Sequence, residues 1–172
     1  LFLTCNFTRT SLSQNDFFDR ISEISSDYKF DRSRLVLEIT EDSLAENSQA
    51  VSENINKCRR TGFKIAIDDM GAGFSSFADL YDNEIDLVKI DGEFIASCTS
   101  ERRQTMLSNI ITLVHESGAK ILCEGVENLE QADFLDKINC DMMQGFYFSK
   151  ILPLVECEKF LKNENITEGK NF

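Results

Sequence analysis

Two adjacent carboxylates, Asp68 and Asp69, end an apolar run and precede the glycine-rich string MGAGFSS. Side by side at a strand end, they can serve two divalent cations, one of them bridging. Two metals roughly 3.5–4 Å apart stabilise both the attacking and the leaving oxygen of an in-line phosphoryl displacement. The following loop then reads as a lid or a close substrate approach. The competing account is a carboxylate N-cap pair ahead of a turn. Upstream, Glu38 and Glu41 form E-I-T-E. Glu38 is placed as a hard oxygen ligand, and Glu41 as a group orienting a ligand or the loop. Glu41 reads equally as first-turn helix acidity. Asn6, in TCNFT, offers a neutral carbonyl oxygen acceptable to Mg2+ or Mn2+, although a lone Asn at a strand end is more often a turn residue.

Lys89 interrupts an otherwise apolar strand between Val88 and Ile90. A lysine there is costly unless it pairs with carboxylates or touches phosphate. It can hold the attacking water or a phosphate oxygen; the alternative is a structural ion pair with Asp91 or Glu124. Glu124, which opens EGVE, can be a metal ligand or a general base. Glu127 in the same string reads as a ligand-orienting group or a helix-start acid. Gln144, in MMQGFYF, can hydrogen-bond a ligand water or the substrate.

What is absent narrows the chemistry. His115 is the single histidine and falls in a helical pattern, expected away from every strand end, so histidine triads and histidine-rich metal sites are excluded. There is no P-loop and no GxGxxG. The site must run on carboxylates, amides and one lysine, which suits Mg2+ or Mn2+ better than zinc. The net charge of −12 makes a nucleic-acid polymer an improbable partner, and it means cations must bridge the protein to any phosphate ester. The six cysteines show no CxxC spacing and several lie in apolar runs, so neither a disulfide framework nor a zinc site is expected, and the reducing cytosol is the expected compartment.

These groups need a scaffold that brings strand ends together. Apolar β-type runs fall at 1–7, 34–40, 63–69, 85–91, 119–125 and 141–148, at roughly thirty-residue spacing, too continuous for half-exposed antiparallel strands. Helical stripes lie between them: Phe17, Phe18, Ile21 and Ile24; then Val51, Ile55 and Cys58; then Leu107, Ile110, Ile111 and Val114. Asn128 is an expected N-cap for a helix through about Ile138, and a last short helix follows Pro153. Strand–helix alternation at this period means parallel pairing with right-handed crossovers. Polar residues end all the strands, and they converge only if the strands curl about one axis. The fold class expected is therefore α/β, a (β/α)8 TIM-like barrel with its site on the C-terminal face. Such barrels typically need about 250 residues and eight strands. About six β/α units are visible, so the chain reads as the C-terminal portion of a barrel over 1–161, with a polar tail over 162–172 and two units expected before residue 1.

At this point the residues resemble the EAL-domain family of cyclic-di-GMP phosphodiesterases. The strings TCNFT, LEITE, AIDDMGAGFSSF, LVKIDGEFI, CEGVE and QGFYFSKILP occur in the family's order, each on an expected strand end. The resemblance implies a Mg2+- or Mn2+-dependent enzyme that opens cyclic-di-GMP to linear pGpG. Asn6, Glu38 and Asp68 match metal ligands, and Asp69 matches the residue associated with a second metal. Lys89 matches the lysine near the hydrolytic water, and Glu124 the active-site glutamate. Gln144 matches the late glutamine, and Glu41 the glutamate that steadies the loop from Met70 to Phe77, which in the family couples the site to a homodimer interface. The namesake E-A-L string does not occur in the chain and would precede residue 1. Met70, Ala72 and Cys123 replace the more usual Phe, Thr and Ala.

Two classes of function compete: a catalytic phosphodiesterase, or an inactive EAL-like domain acting as a cyclic-di-GMP receptor or interaction module. An aldolase-like use of Lys89 as a Schiff base leaves the carboxylate ring unexplained. The resemblance also implies a homodimer, with sensory or GGDEF-type domains in the parent protein, and a cytoplasmic site whose parent can be anchored to a membrane elsewhere.

Overall fold

A computed structural model describes residues 2–40, 49–70 and 84–163. Its strands are β1 (Leu3–Phe7), β2 (Leu35–Thr40), β3 (Lys64–Met70), β4 (Leu87–Ile90), β5 (Lys120–Cys123) and β6 (Met142–Met143). They form one parallel sheet in the order β1-β2-β3-β4-β5-β6. The helices among the described residues are α1 (Arg9–Leu12), α2 (Phe17–Asp27), α3 (Gln49–Arg60), α4 (Gly92–Ala96), α5 (Glu101–Glu116), α6 (Leu129–Lys137) and α7 (Leu154–Asn163). Sequential parallel neighbours, with helices in the connections described, make the partial (β/α) barrel expected, with six strands present. β1 and β6 form the two edges of this sheet.

The strands obey a strict division of labour. Because successive side chains alternate between faces, Leu37, Ile39, Ile65, Ile67, Val88, Ile90, Ile121 and Cys123 pack outward with helix residues such as Leu12, Val51, Ile55, Leu107 and Ile111. Val36, Ala66, Leu87 and Leu122 form a separate inner cluster, with Phe2 and Met142 against it. Burial on both faces is why these strands read as near-continuous apolar runs.

Local signals explain the helices. Ser100 caps α5 by accepting from the Arg103 N–H. Asn128 and Gln131 form a reciprocal capping box on α6, at the expected N-cap. The buried Asn54 amide donates to the carbonyls of Leu12 and Gln14, each at 2.8 Å, fastening the end of α1 to α3.

Three expectations need correction. Ile24 is 59% exposed, so the first stripe ends at Ile21, which only partly packs on the core. The last β-run is a strand only over Met142–Met143, and within its expected span the chain turns, the Phe148 and Ser149 N–H groups donating to the Gly145 carbonyl at 3.1 and 3.3 Å. His115 is on α5, yet its Nε2 lies 2.7 Å from Asp141 Oδ2, at the start of β6.

That contact belongs to a pattern on the lower rim, where strands begin. Asp141 Oδ2 also accepts from the Ile121 N–H at 2.9 Å. Asp86, just before β4, does the same for β3: its Oδ2 accepts from the Ile65 N–H at 3.0 Å and from Arg59 Nε at 3.2 Å, while Oδ1 accepts from Lys64 Nζ at 2.8 Å. Arg59 also pairs with Glu84. Burial works against the Arg59 cation, but Asp86 and Glu84 outweigh it and raise its pKa.

Candidate functional site

Two residues beyond each member of the inner cluster, on the same face, stands a polar group. Val36 is followed by Glu38, Ala66 by Asp68, Leu87 by Lys89, Leu122 by Glu124 and Met142 by Gln144. The apolar layer is thus the floor of a polar layer at the C-terminal rim, the face on which barrel sites lie.

Lys89 occupies the middle of that layer. It is 5% exposed, and its Nζ lies 2.7 Å from Asp68 Oδ1, 2.8 Å from Glu124 Oε1 and 2.9 Å from Glu38 Oε1. Desolvation opposes the ammonium, but ion pairs with Asp68, Glu124 and Glu38 overcome it and push the lysine pKa up. Of the two ion-pair partners considered from sequence, Glu124 is one; Asp91 instead caps α4, its Oδ1 accepting from the Glu93 N–H at 2.7 Å. Three carboxylates on one ammonium leave two negative charges in excess. Glu38 is 2% exposed, and its Oε1 has no well-formed hydrogen bond even with Lys89 Nζ beside it.

Asp69 reaches the site by an irregularity. The β3–β4 register shifts between Ile67 and Met70, and Asp69 adopts φ +58°, a left-handed conformation that Asp tolerates better than most residues. Partial burial, then repulsion from Asp68 and Asp91, raises its pKa. Asn6 is exposed on β1, directly opposite Glu38 in register. Gln144 is exposed; its N–H donates to the Cys123 carbonyl at 2.9 Å and its carbonyl accepts from the Val126 N–H at 3.1 Å. Glu127 is exposed beyond the rim, its N–H donating to Gln131 Oε1 at 2.7 Å. Glu41 and the loop segment 71–77 lie outside the described residues.

The structure therefore brings Glu38, Asp68, Lys89 and Glu124 into one ionic cluster, with Asp69 in electrostatic reach. Among the described residues, no three His, Cys, Asp or Glu groups already close on a common metal position; the carboxylates converge on Lys89 Nζ instead. The donor chemistry nevertheless fits a hard divalent cation: carboxylate oxygens in excess of positive charge, one of them buried and under-bonded.

Sequence reasoning missed three glycines. Gly92, Gly125 and Gly145 each directly follow a polar rim residue (Asp91, Glu124 and Gln144), and that repetition was the available signal.

Comparison with known proteins agrees with this fold. The sequence profile of the EAL domain matches residues 1–151. The chain is 32% identical over 155 residues to the oxygen sensor protein DosP of Escherichia coli, covering 90% of this chain and 19% of that protein. It is 36% identical over 129 residues to the cyclic di-GMP phosphodiesterase NbdA of Pseudomonas aeruginosa, covering 74% and 16%. Among solved structures, the EAL enzyme Bd1971 with cAMP and cyclic-di-GMP bound superposes with a TM-score of 0.89 at 27% identity, covering 93% of this chain and 43% of that one. An EAL domain protein from Listeria monocytogenes gives 0.84 at 30%, covering 96% and 66%. The chain spans less than a third of the length of these two curated relatives. With the family profile matching residues 1–151, the chain belongs to the EAL-domain family.

Proposed function

We propose that the protein carrying this chain is a cyclic-di-GMP phosphodiesterase that opens one phosphodiester bond with water to give linear pGpG. The observation that carries this reading is the excess of carboxylate over ammonium around Lys89 at the barrel's functional rim. The names of relatives such as NbdA and of cyclic-di-GMP-bound structural neighbours support the substrate.

Asn6, Glu38, Asp68 and Glu124 would hold Mg2+ or Mn2+, and Asp69 would serve a second ion. When bound, such ions polarise phosphoryl oxygens and acidify water. Lys89 then orients the attacking water or neutralises a phosphate oxygen, and Glu124 takes up the water's proton. One phosphorus–oxygen bond forms to the water oxygen and one breaks, the proton passing to the leaving oxygen. Gln144 reaches the substrate or a ligand water, Glu127 supports the rim from outside it, and Glu41 steadies the loop after the aspartate doublet. We take residues 1–161 as the barrel portion and place the protein as a cytoplasmic homodimer, joined to sensory or GGDEF-type domains; no helix among the described residues is long and apolar enough to cross a membrane.

The test is a hydrolysis assay on the full-length protein with cyclic-di-GMP, in Mg2+ and in excess chelator. Turnover to pGpG that vanishes with chelator is expected. Turnover indifferent to chelator contradicts the metal assignment, and binding without turnover identifies a receptor.

A further inference from the structure

The segments bearing Lys89 and Glu124 touch through bare backbone. A Cβ on Gly125 would lie 2.7 Å from the Gly92 Cα, and a Cβ on Gly92 would lie 3.0 Å from the Gly125 Cα. On the far side, a Cβ on Gly145 would lie 2.1 Å from the Val126 carbonyl oxygen and 2.3 Å from its nitrogen. Hydrogen bonds stitch the same stretch on both sides. The Glu124 N–H donates to the Ile90 carbonyl at 3.0 Å, the Val126 N–H to Gln144 at 3.1 Å, and the Tyr147 N–H to the Val126 carbonyl at 2.9 Å. Val126 is fully buried. The loop after β5 is therefore gripped between the loops after β4 and β6, with no side chain available to yield.

We infer that Gly92 and Gly125 are positioning residues: their backbone contact sets how closely Glu124 approaches Lys89, now 2.8 Å away. Gly92 starts α4 and has no positive φ, so alanine there suits the helix and adds only the methyl group. The grip at Gly145 prevents Val126 from retreating, so the displacement passes to Glu124. Gly125 has φ +64°, so alanine there adds backbone strain to a closer clash. Gly118, at φ +87° with nothing within 4 Å of an added Cβ, isolates the strain component.

The inference rests on the proposed function only for its kinetic readout. In the full-length protein, Gly92→Ala, Gly125→Ala and Gly118→Ala are compared by melting temperature, kcat and KM for cyclic-di-GMP, and Mn2+ affinity by calorimetry; Gly92→Ala is also crystallised. Gly92→Ala is expected to melt with the wild type and to lose about three- to tenfold in kcat with KM unchanged. Its Mn2+ binding weakens, and its Lys89–Glu124 separation lengthens measurably from 2.8 Å. Gly125→Ala loses more on every count, whereas Gly118→Ala loses thermal stability alone. If the wild type hydrolyses nothing, the functional proposal fails but the crystal structure still decides this one. A Gly92→Ala structure that keeps the Lys89–Glu124 separation at 2.8 Å overturns it, as does wild-type kcat in that variant.

Discussion

The two rims of the barrel solve the same electrostatic problem in opposite ways. At the lower rim one carboxylate, Asp86, satisfies two cations and a backbone N–H, so no charge stands idle. At the upper rim one cation, Lys89, is shared among three carboxylates, and Glu38 Oε1 is left without a well-formed bond. The lower arrangement is complete in itself and locks β3 to β4. The upper one is short of positive charge, which a fold optimised for stability alone would have removed by substituting apolar residues. The contrast separates a charge arrangement that serves the fold from one that the fold alone does not call for.

Removing the cation at the centre of the upper cluster should have the largest effect. Lys89→Ala leaves three carboxylates facing one another, so folding should weaken by about 3–5 kcal/mol in chelator. Millimolar Mg2+ should restore part of that loss by binding the folded state. Turnover should fall roughly 10²–10³-fold in either case. Identical melting curves with and without Mg2+ would break the contrast between the rims.

The complementary change at the lower rim is Asp86→Ala, which strands Lys64 and the Ile65 N–H and takes from Arg59 one of its two carboxylate partners. A loss of about 2–3 kcal/mol is expected in urea unfolding, with kcat per folded molecule unchanged. A fall in kcat at full folding would show that the lower rim also shapes the site.

Asp68→Asn keeps the shape but removes one charge from the upper cluster. Metal affinity should drop about 10–100-fold, read by Mn2+ titration, while stability changes little. An unaltered titration removes Asp68 from the ligand set.

The smallest effect concerns Asp69. A carboxyl whose pKa is raised by folding binds protons better in the folded state, so its ionised form opposes folding once the pH exceeds the unfolded value. Asp69→Asn should therefore raise the metal-free melting temperature at neutral pH by about 1 °C, because the side chain is largely exposed, and the gain should vanish below roughly pH 4. Asparagine also accepts the left-handed backbone. A destabilised variant at pH 7 would contradict the sign.

The rim was legible because its chemistry interrupts apolar strands. Lys89 within LVKI and Glu38 within LVLEIT stand out for that reason, and the thirty-residue rhythm supplied their common face. What sequence could not show is arrangement. That Lys89 takes three partners rather than one depends on the stagger between strands, with Lys89 opposite Leu122 and Glu38 opposite Ala66. Asp86 and Asp141 look like ordinary acids before a strand, and only the fold reveals that each secures the strand beside it. Ile24 fitted the helical period but lies beyond the reach of the sheet. The final strand looked longer than it is, because an apolar run carries no mark of the contact that turns Gly145 back on Val126.

Alternation along the strands has a consequence for divergence. Chemistry and its apolar floor take one set of positions, while packing against the helices takes the other. Substitutions in the helical shell can therefore be absorbed by neighbours on that side without shifting the inward set. A chain built this way can exchange most of its letters and keep its fold, and the neighbour with a TM-score of 0.89 shares only 27% of its residues.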